Sequence, residues 1–507
     1  MSEAENQVLT PPVEQEQNSE DIRSQRLKKV DEMKRAGVNP YGHRVDGVKS
    51  SEEVKPLYVD ETTEVNVKVA GRLVSRRIMG KSLFAHLQDQ AGRIQLYVQK
   101  NVVGDDEYAA FKDLDIGDIL TAEGTLFQTR TGEISVRVSA FELLSKSLRP
   151  LPEKYHGLTD TEQRYRQRYL DLISNESVRK TFMMRSRIIS EIRSYLDSRG
   201  FMEVETPMMQ PLAGGAAACP FTTHYNALNA TMYLRIATEL YLKRLVVGGF
   251  EKVYEIGRNF RNEGMDRRHN PEFTSIELYQ AYSDCRGMME IIEDMVCTVA
   301  QKLFGTLQIE HKDEEGNVVN VINLTRPWRV ATYTELVEEK MGKDWFGLPK
   351  DVKREKARAL GLKITDDMEE QDITHEVYEK AIEHTLIQPT FVTRLPAYLV
   401  PLAKRCEDDP RFVDVYELEI NGQEISPGYS ELNDPIEQRS RFDQQLIGRD
   451  DLEGEVNRID EDFLTALEHG MPPTGGLGMG IDRLVMLLTG APSIRDVILF
   501  PQMKLQN

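Results

Sequence analysis

Residues 260–282, FRNEGMDRRHNPEFTSIELYQAY, crowd arginines, a histidine, carboxylates and aromatic rings into one short run. Side chains that are costly to desolvate are concentrated where a chain binds ligands or does chemistry. As a hairpin, KVYEIGRNFRNE places Val253, Glu255, Gly257, Asn259, Arg261 and Glu263 on one face by alternation. The return strand, EFTSIELYQAY, places Phe273, Ser275, Glu277 and Tyr279 on one face, with Ile276 and Leu278 on the other. Each strand is then apolar towards a core and polar on its far side. Phe273 supplies a flat surface, Arg261 a forked cation, and Glu277 and Tyr279 hydrogen-bonding groups. A ligand with a ring, an anionic group and a cation suits that face. A salt-bridged surface hairpin is the plain alternative.

A second run, YELEINGQEIS, carries Asn-Gly at 421–422, a strong signal for a two-residue turn. That turn sets Glu419 against Glu424 and Glu417 against Ser426, leaving Glu417 and Glu424 as diagonal neighbours. Like charges so placed repel unless a cation sits between them, and a hard divalent ion with oxygen ligands, Mg²⁺ with a polyphosphate above all, answers this. A solvated acidic edge strand is the alternative. The third run, GGLGMGIDRLVML at 475–487, reads as a strand entering a helix that carries Arg483. Its glycines permit close backbone approach and offer amides to an anion. No GKS or GKT follows, and the sixth position of GxGxxG is not glycine, so neither a phosphate loop nor a Rossmann turn fits.

These runs need scaffolding, and 507 residues suffice for two or more domains with a large core. The composition, 40% hydrophobic and 29% charged, is that of a globular protein. A net charge of −19 argues against indiscriminate nucleic-acid binding, so a polyanion partner must find a local basic surface. No apolar run is long enough to cross a membrane, and the acidic start has no signal-peptide core. Cys219, Cys285, Cys297 and Cys406 lack metal-ligand spacing and read as reduced thiols of a cytoplasmic protein. Residues 1–20 read as a disordered acidic tail and 21–60 as a basic helical segment, either packed on the body or meeting RNA. Short alternating strands over 61–148 predict a five-stranded barrel of the OB type. A linker is expected at 149–172, and a domain of long helices and antiparallel strands over 173–507. Charged helical patterns at about 330–395 predict a helical insertion covering the site.

In chain order stand GFMEVETPMM (200–209), FRNE…RHNPEF and GLGMGIDR. This order resembles the three motifs of the class II aminoacyl-tRNA synthetases. With RYRQRYLDLI, MYLRIATELYLKRL, SELNDP, TALEHG and RDVILFP, the chain is similar to the bacterial lysyl-tRNA synthetase family from about residue 22 to 502. The resemblance implies an α+β fold: a class II antiparallel sheet flanked by helices, behind an N-terminal five-stranded OB-type barrel. It implies ATP, L-lysine and tRNA(Lys) as partners, a homodimer, no membrane, and Mg²⁺ as cofactor, up to about three ions per subunit.

Residue by residue, the resemblance makes Arg261 the grip on the α-phosphate and the amino-acid carboxylate. Phe273 and Arg483 sandwich adenine, Glu263 and His269 meet the adenine and the phosphate tail, and Glu417 and Glu424 hold Mg²⁺. Gly215 and Glu239 take the α-amino group, while Glu277, Tyr279 and Glu431 surround the side-chain ammonium, with Tyr429 beside them. In the barrel, Phe84 and Gln95 stack on and hydrogen-bond the central anticodon uridine, and Glu133 meets a neighbouring base. Arg77, with Arg72, Arg76 and Lys81, gives the basic surface that the acidic whole lacks. The chain departs from the family pattern at Pro427, where asparagine is usual, and at Tyr429, where phenylalanine is usual. The rival readings are an aspartyl or asparaginyl sister enzyme, a ligase attaching lysine or an analogue to a protein, and a non-catalytic RNA-binding scaffold. The paired anions Glu277 and Glu431 oppose the first, the barrel the second, and joint retention of Arg261, Arg483, Glu417 and Glu424 the third.

Overall fold

The computed structural model describes residues 13–152, 158, 160–216, 218–313, 315–446 and 459–504. The chain forms two compact units, Met1–Arg164 with Tyr169–Arg179, and Tyr165–Arg168 with Lys180–Asn507.

The first unit is built on a closed barrel of β1 (Asn66–Met79), β2 (Ser82–Gln88), β3 (Arg93–Gln99), β4 (Ile119–Gln128) and β5 (Ile134–Ser145), in the order β1-β2-β3-β5-β4. The pattern of β2 shows why it closes: Leu83, Ala85 and Leu87 are buried inside, while Phe84 and His86 alternate outward. Gly124 marks a bulge in β4, and a Cβ there would lie 2.0 Å from the Arg137 carbonyl oxygen, so only glycine lets β5 come this close. Helix α1 (Val13–Arg35) begins inside the stretch expected to be disordered, whose residues 1–12 lie outside the described residues. Its basic character is partly structural. Arg26 is buried and donates to the carbonyls of Ile116, Ser147 and Arg149, and Lys29 pairs with Asp113 and Asp115. The expected linker contains two short helices, Thr161–Arg166 and Arg168–Ser174.

The second unit carries an eight-stranded sheet of β6 (Met202–Glu203), β7 (Lys252–Phe260), β8 (Glu272–Ala281), β9 (Arg329–Thr332), β10 (Thr390–Thr393), β11 (Val415–Ile420), β12 (Gln423–Ser430) and β13 (Thr474–Gly480). Its order is β9-β10-β11-β12-β13-β8-β7-β6, antiparallel except for a parallel pair at each edge. One face packs on α2 (Glu176–Ser198), α3 (Cys285–Phe304) and α4 (Ile481–Thr489) through residues such as Ile192, Ile276, Leu278, Met295 and Leu484. Asp284 caps α3 by accepting from the Gly287 amide, which starts that helix directly after β8. The other face bears the polar side chains, beside a helix, Glu239–Val247, that packs on it through Leu240, Leu242 and Val246 against Val253, Tyr279 and Ala281. Helices do fill the predicted insertion (Tyr333–Met341, Lys350–Ala359 and Glu370–Val377), but β9 and β10, at its two ends, belong to the main sheet. No described helix is long and apolar enough to cross a membrane.

Candidate active site

The register of the sheet assembles the polar face. Between β7 and β8, Val253 pairs with Tyr279, Glu255 with Glu277, Gly257 with Ser275 and Asn259 with Phe273, which brings the two faces expected from alternation onto one side. Arg261 and Glu263 do not continue this strand as expected. Strand β7 ends at Phe260, and the connecting loop instead holds the Arg261 amide on the Pro271 carbonyl at 2.8 Å. Next to β8 runs β13, pairing Tyr279 with Gly476 and Glu277 with Gly478. Beyond it, β12 sets Tyr429 against the same Gly476. A cavity of about 300 Å³ opens above this floor.

At one end of the cavity stand Arg261, Glu263, His269, Phe273, Glu424 and Arg483. The Arg261 guanidinium lies over the Phe273 ring, 5.2 Å from its centroid, with its Nε buried and without a hydrogen-bond partner. Arg483 donates to the Glu424 carbonyl at 2.7 Å and to His269 Nε2 at 3.2 Å. A guanidinium only donates, so His269 Nε2 accepts and its Nδ1–H donates to Asp266 at 2.8 Å. Burial alone would raise the Asp266 carboxyl, but hydrogen bonds from His269 and from the amides of Arg268 and His269 bring it below the usual range. Both arginines are therefore aimed into one cavity.

At the other end stand Gly215, Glu239, Glu277, Tyr279, Tyr429 and Glu431. Glu277 accepts from the Thr238 amide at 3.1 Å and from the Tyr279 hydroxyl at 3.2 Å. Burial first, then the neighbouring Glu239, pushes its carboxyl up to about 7. Glu431 is almost wholly buried, and its Oε1 has no hydrogen-bond partner. The Tyr429 hydroxyl lies against Glu239. Gly215, at φ +87°, passes close to Ala237 and Glu239, where a side chain would intrude. One member of this cluster escaped the sequence reading. Lys243 is fully buried, donates to Glu239 Oε1 at 2.6 Å and pairs with Glu431. The only available signal was its place four residues after Glu239 on a helix.

The acidic hairpin differs from expectation in register. Glu419 does face Glu424, but a bulge between Leu418 and Glu419 sets Glu417 against Pro427 rather than Ser426. Glu417 does not line the cavity, whereas Glu424 does. Burial, then repulsion from Glu424 and Glu383, pushes the Glu417 carboxyl well up and that of Glu419 up to about 10. Glu419 Oε2 is buried without a partner. Among the described residues, no three His, Cys, Asp or Glu side chains are grouped to hold a metal unaided. A cation that takes the rest of its oxygens from a ligand and water fits these carboxylates.

On the barrel, Phe84 and Gln95 sit on adjacent strands, but each has another direct partner: Phe84 pairs with Tyr97 and His86 with Gln95. The Phe84 and Tyr97 rings stack at 4.7 Å, and Arg77 is paired with Phe84 on its other side. Gln95 donates to Glu133 at 2.8 Å and accepts from Ser135 at 2.8 Å. His86, which the sequence reading passed over, lies 3.1 Å from the other Glu133 oxygen.

Comparison with known proteins bears on both units. The family described as class II tRNA synthetases (D, K and N) matches residues 160–504, and the OB-fold nucleic acid binding domain matches residues 67–144. The lysine–tRNA ligase of Staphylococcus epidermidis is 51% identical over 488 residues, covering 94% of this chain and 97% of its own. That of Carboxydothermus hydrogenoformans is 52% identical over 480 residues, covering 94% and 97%, and that of Bacillus cereus 50% over 497 residues, covering 96% and 98%. A cavity with two inward arginines at one end and buried carboxylates at the other, on a predominantly antiparallel sheet, accords with these matches: the chain belongs to the class II tRNA synthetases and, within them, to the lysine–tRNA ligase family.

Proposed function

We propose that the cavity activates L-lysine with ATP to lysyl-adenylate and pyrophosphate, and then passes the lysyl group to the 3′-hydroxyl of tRNA(Lys). The observation that carries this reading is Glu431 Oε1: a carboxyl oxygen buried without a hydrogen-bond partner, in a cavity also lined by Glu239 and Glu277, needs an ammonium. Glu277 and Tyr279 stand around the same position, while Gly215 and Glu239 receive the α-ammonium. An apolar amino acid would leave these groups unpaired, a rejection worth roughly 10⁴–10⁵-fold in comparable polar sites.

Adenine lies between Phe273 and Arg483, displacing Arg261 from the ring face towards the α-phosphate and the lysine carboxylate. That carboxylate is already ionised, so it attacks the α-phosphorus in line without a general base, and pyrophosphate departs. Arg261 neutralises charge as it builds on the phosphoryl oxygens; Arg483 and His269 hold the phosphate tail. Glu417 and Glu424 would hold Mg²⁺, which supplies further neutralisation along the polyphosphate when bound. Glu263 meets the adenine edge. In the second step the tRNA hydroxyl attacks the mixed anhydride, with a phosphate oxygen of the adenylate accepting the proton. The barrel reads the anticodon through Phe84, Gln95, Glu133 and Arg77. Free cysteines suit a reducing cytoplasm. Exposed Met183 on α2, Met202 on β6, and Met208 and Met209 further along the chain suit a homodimer seam.

Arg261→Ala is expected to lower lysine-dependent ATP–pyrophosphate exchange by on the order of 10³-fold or more with the fold unchanged; near-normal exchange would refute the assignment. Phe84→Ala should weaken tRNA binding by roughly 1–3 kcal/mol and leave exchange intact, so equal loss of both activities would contradict an anticodon role. Lysine binds the ionised form of Glu277, whose carboxyl sits at about 7 in the empty site. The KM for lysine in exchange should therefore rise as pH falls below 7, by up to about tenfold per pH unit, with the KM for ATP unaffected. A flat profile from pH 6 to 8 would count against Glu277 as an ammonium ligand. Sedimentation of the active enzyme should give a dimer; an active monomer excludes the seam.

A further inference from the structure

Lys243 takes no part in the chemistry above, yet it is the buried cation of the amino-acid end. It lies on a helix, Glu239–Val247, and its side chain has no exposure to solvent. Its Nζ donates to Glu239 Oε1 at 2.6 Å, pairs with Glu431 Oε2, and stands 5.7 Å from the centre of the Tyr429 ring. Among the described residues it is the only cation in ion-pair range of Glu239, Glu277 or Glu431. A buried lysine normally sheds its proton; burial would depress this one, but Glu239 and Glu431 more than reverse that and raise it.

We infer that Lys243 is a positioning residue for substrate selection, an internal counter-ion that fixes the orientation of Glu239 and Glu431 and offsets part of their buried charge before the amino acid arrives. The inference rests on the lysine reading of the cavity. Three carboxylates, Glu239, Glu277 and Glu431, face one internal ammonium, which leaves two negative charges uncompensated when all three are ionised. An amino acid bearing two ammonium groups balances them; one bearing a single ammonium leaves a buried carboxylate unpaired, the costly outcome. Burial drives the Glu431 carboxyl well up and Lys243 opposes that push; without Lys243 the proton on Glu431 would be held more tightly, and lysine would have to expel it in order to bind. Tyr279 and Tyr429, the other titratable groups facing the pair, are pushed further up by burial and by these same glutamates, so they stay neutral and supply no compensating charge. Oε2 of Glu431 is taken by Lys243, so Oε1 is the oxygen left for the substrate.

The experiment measures ATP–pyrophosphate exchange by the full-length enzyme and its Lys243→Met and Lys243→Arg variants across pH 6.5 to 9. For Lys243→Met the KM for lysine is expected to rise about tenfold at pH 7 and to return towards wild type as pH approaches 9, with the KM for ATP within about threefold. Lys243→Arg, which keeps the charge, should recover most of the loss. A KM for lysine in Lys243→Met within twofold of wild type at every pH overturns the inference. So does a pH-independent fall in kcat with a matching rise in the KM for ATP, which marks a merely structural lysine. Should Lys243→Met fail to fold, calorimetry of L-lysine binding to the wild-type enzyme and to Lys243→Arg at pH 8, in buffers of differing ionisation enthalpy, decides: the arginine keeps the charge, so proton release should match wild type to within about 0.3 proton per site, and a difference near one proton overturns the inference. Absence of lysine-dependent exchange in the wild type would instead remove the lysine reading itself.

Discussion

Strand β13 presents only backbone to the cavity, because Gly476, Gly478 and Gly480 alternate with Leu477 and Met479, which are buried in the core. The neighbouring strands fill the space so freed. A Cβ on Gly476 would lie 1.9 Å from Glu431 Oε1 and 2.6 Å from the Tyr279 ring. The glycines are thus a steric necessity for the carboxylate and the tyrosine, not chiefly a cradle for phosphate. The same strand runs directly into α4, where buried Asp482 accepts from the Thr274 amide at 2.7 Å and from Arg185 at 2.5 Å. That pair of bonds fastens the helix start to β8, so that the next residue, Arg483, projects over the cavity. One bare strand therefore makes room for the amino acid and leads the nucleotide-facing arginine to its place.

Room is created at an electrostatic cost. Glu277 and Glu419 are held above the ordinary carboxylate range by burial first and by their acidic neighbours next. A carboxyl raised in the folded state binds its proton more tightly there than in the unfolded chain, so its contribution to stability falls as pH rises from the unfolded value towards the folded one. For Glu277 that window runs from 4.5 to about 7. At neutral pH the empty site is consequently less stable than the rest of the fold would allow. Ligand cations reverse this, since anything that binds the folded state and satisfies buried charge stabilises it by mass action. The amino-acid end already contains one such cation in Lys243; the hairpin of β11 and β12 has the Arg483 guanidinium 3.9 Å from Glu424 against the three carboxylates of Glu417, Glu419 and Glu424, so a divalent ion carried in with polyphosphate fits there.

Much of this was legible in the sequence because β-strand alternation is rigid. That Glu255 and Asn259 share one face, and Phe273 and Glu277 one face, follows from period two, while their pairing, Glu255 with Glu277 and Asn259 with Phe273, is set by the register of the connecting loop. The Asn-Gly turn was equally plain, yet the bulge one step beyond Glu419 was not: a bulge inserts a residue without a composition signal, and it moved Glu417 out of the expected pairing and off the cavity lining. Arg261 was assigned to a strand face that ends at Phe260, since nothing in FRNE marks where pairing stops. Lys243 was hidden for a different reason. In LYLKRL it looks like any solvated helix lysine, and only the tertiary approach of Glu431, far along the chain, makes it a buried counter-ion. Helix α1 was placed correctly in its basic half, while the docking role of Arg26 depends on carbonyls that no local pattern reveals.

The barrel uses the same period of two for the opposite end of the reaction. Across β1, β2, β3 and β5, register aligns Arg77, Phe84, Tyr97 and Arg137 in one row, and Ser75, His86, Gln95 and Ser135 in the row two residues away. The first row is rings between cations, suited to stacking bases and holding phosphates whatever the sequence. The second is joined by hydrogen bonds, from Ser75 to His86 at 2.8 Å, through Glu133, to Gln95 and Ser135. Gln95 donates one amide N–H and accepts one bond within this row, so its second N–H and second oxygen lone pair are left for a base edge. Stacking surface and hydrogen-bonding groups are thereby set in separate rows of one sheet. Arg77 and Arg137 flank the rings, so this face carries local positive charge even though the total charge is −19.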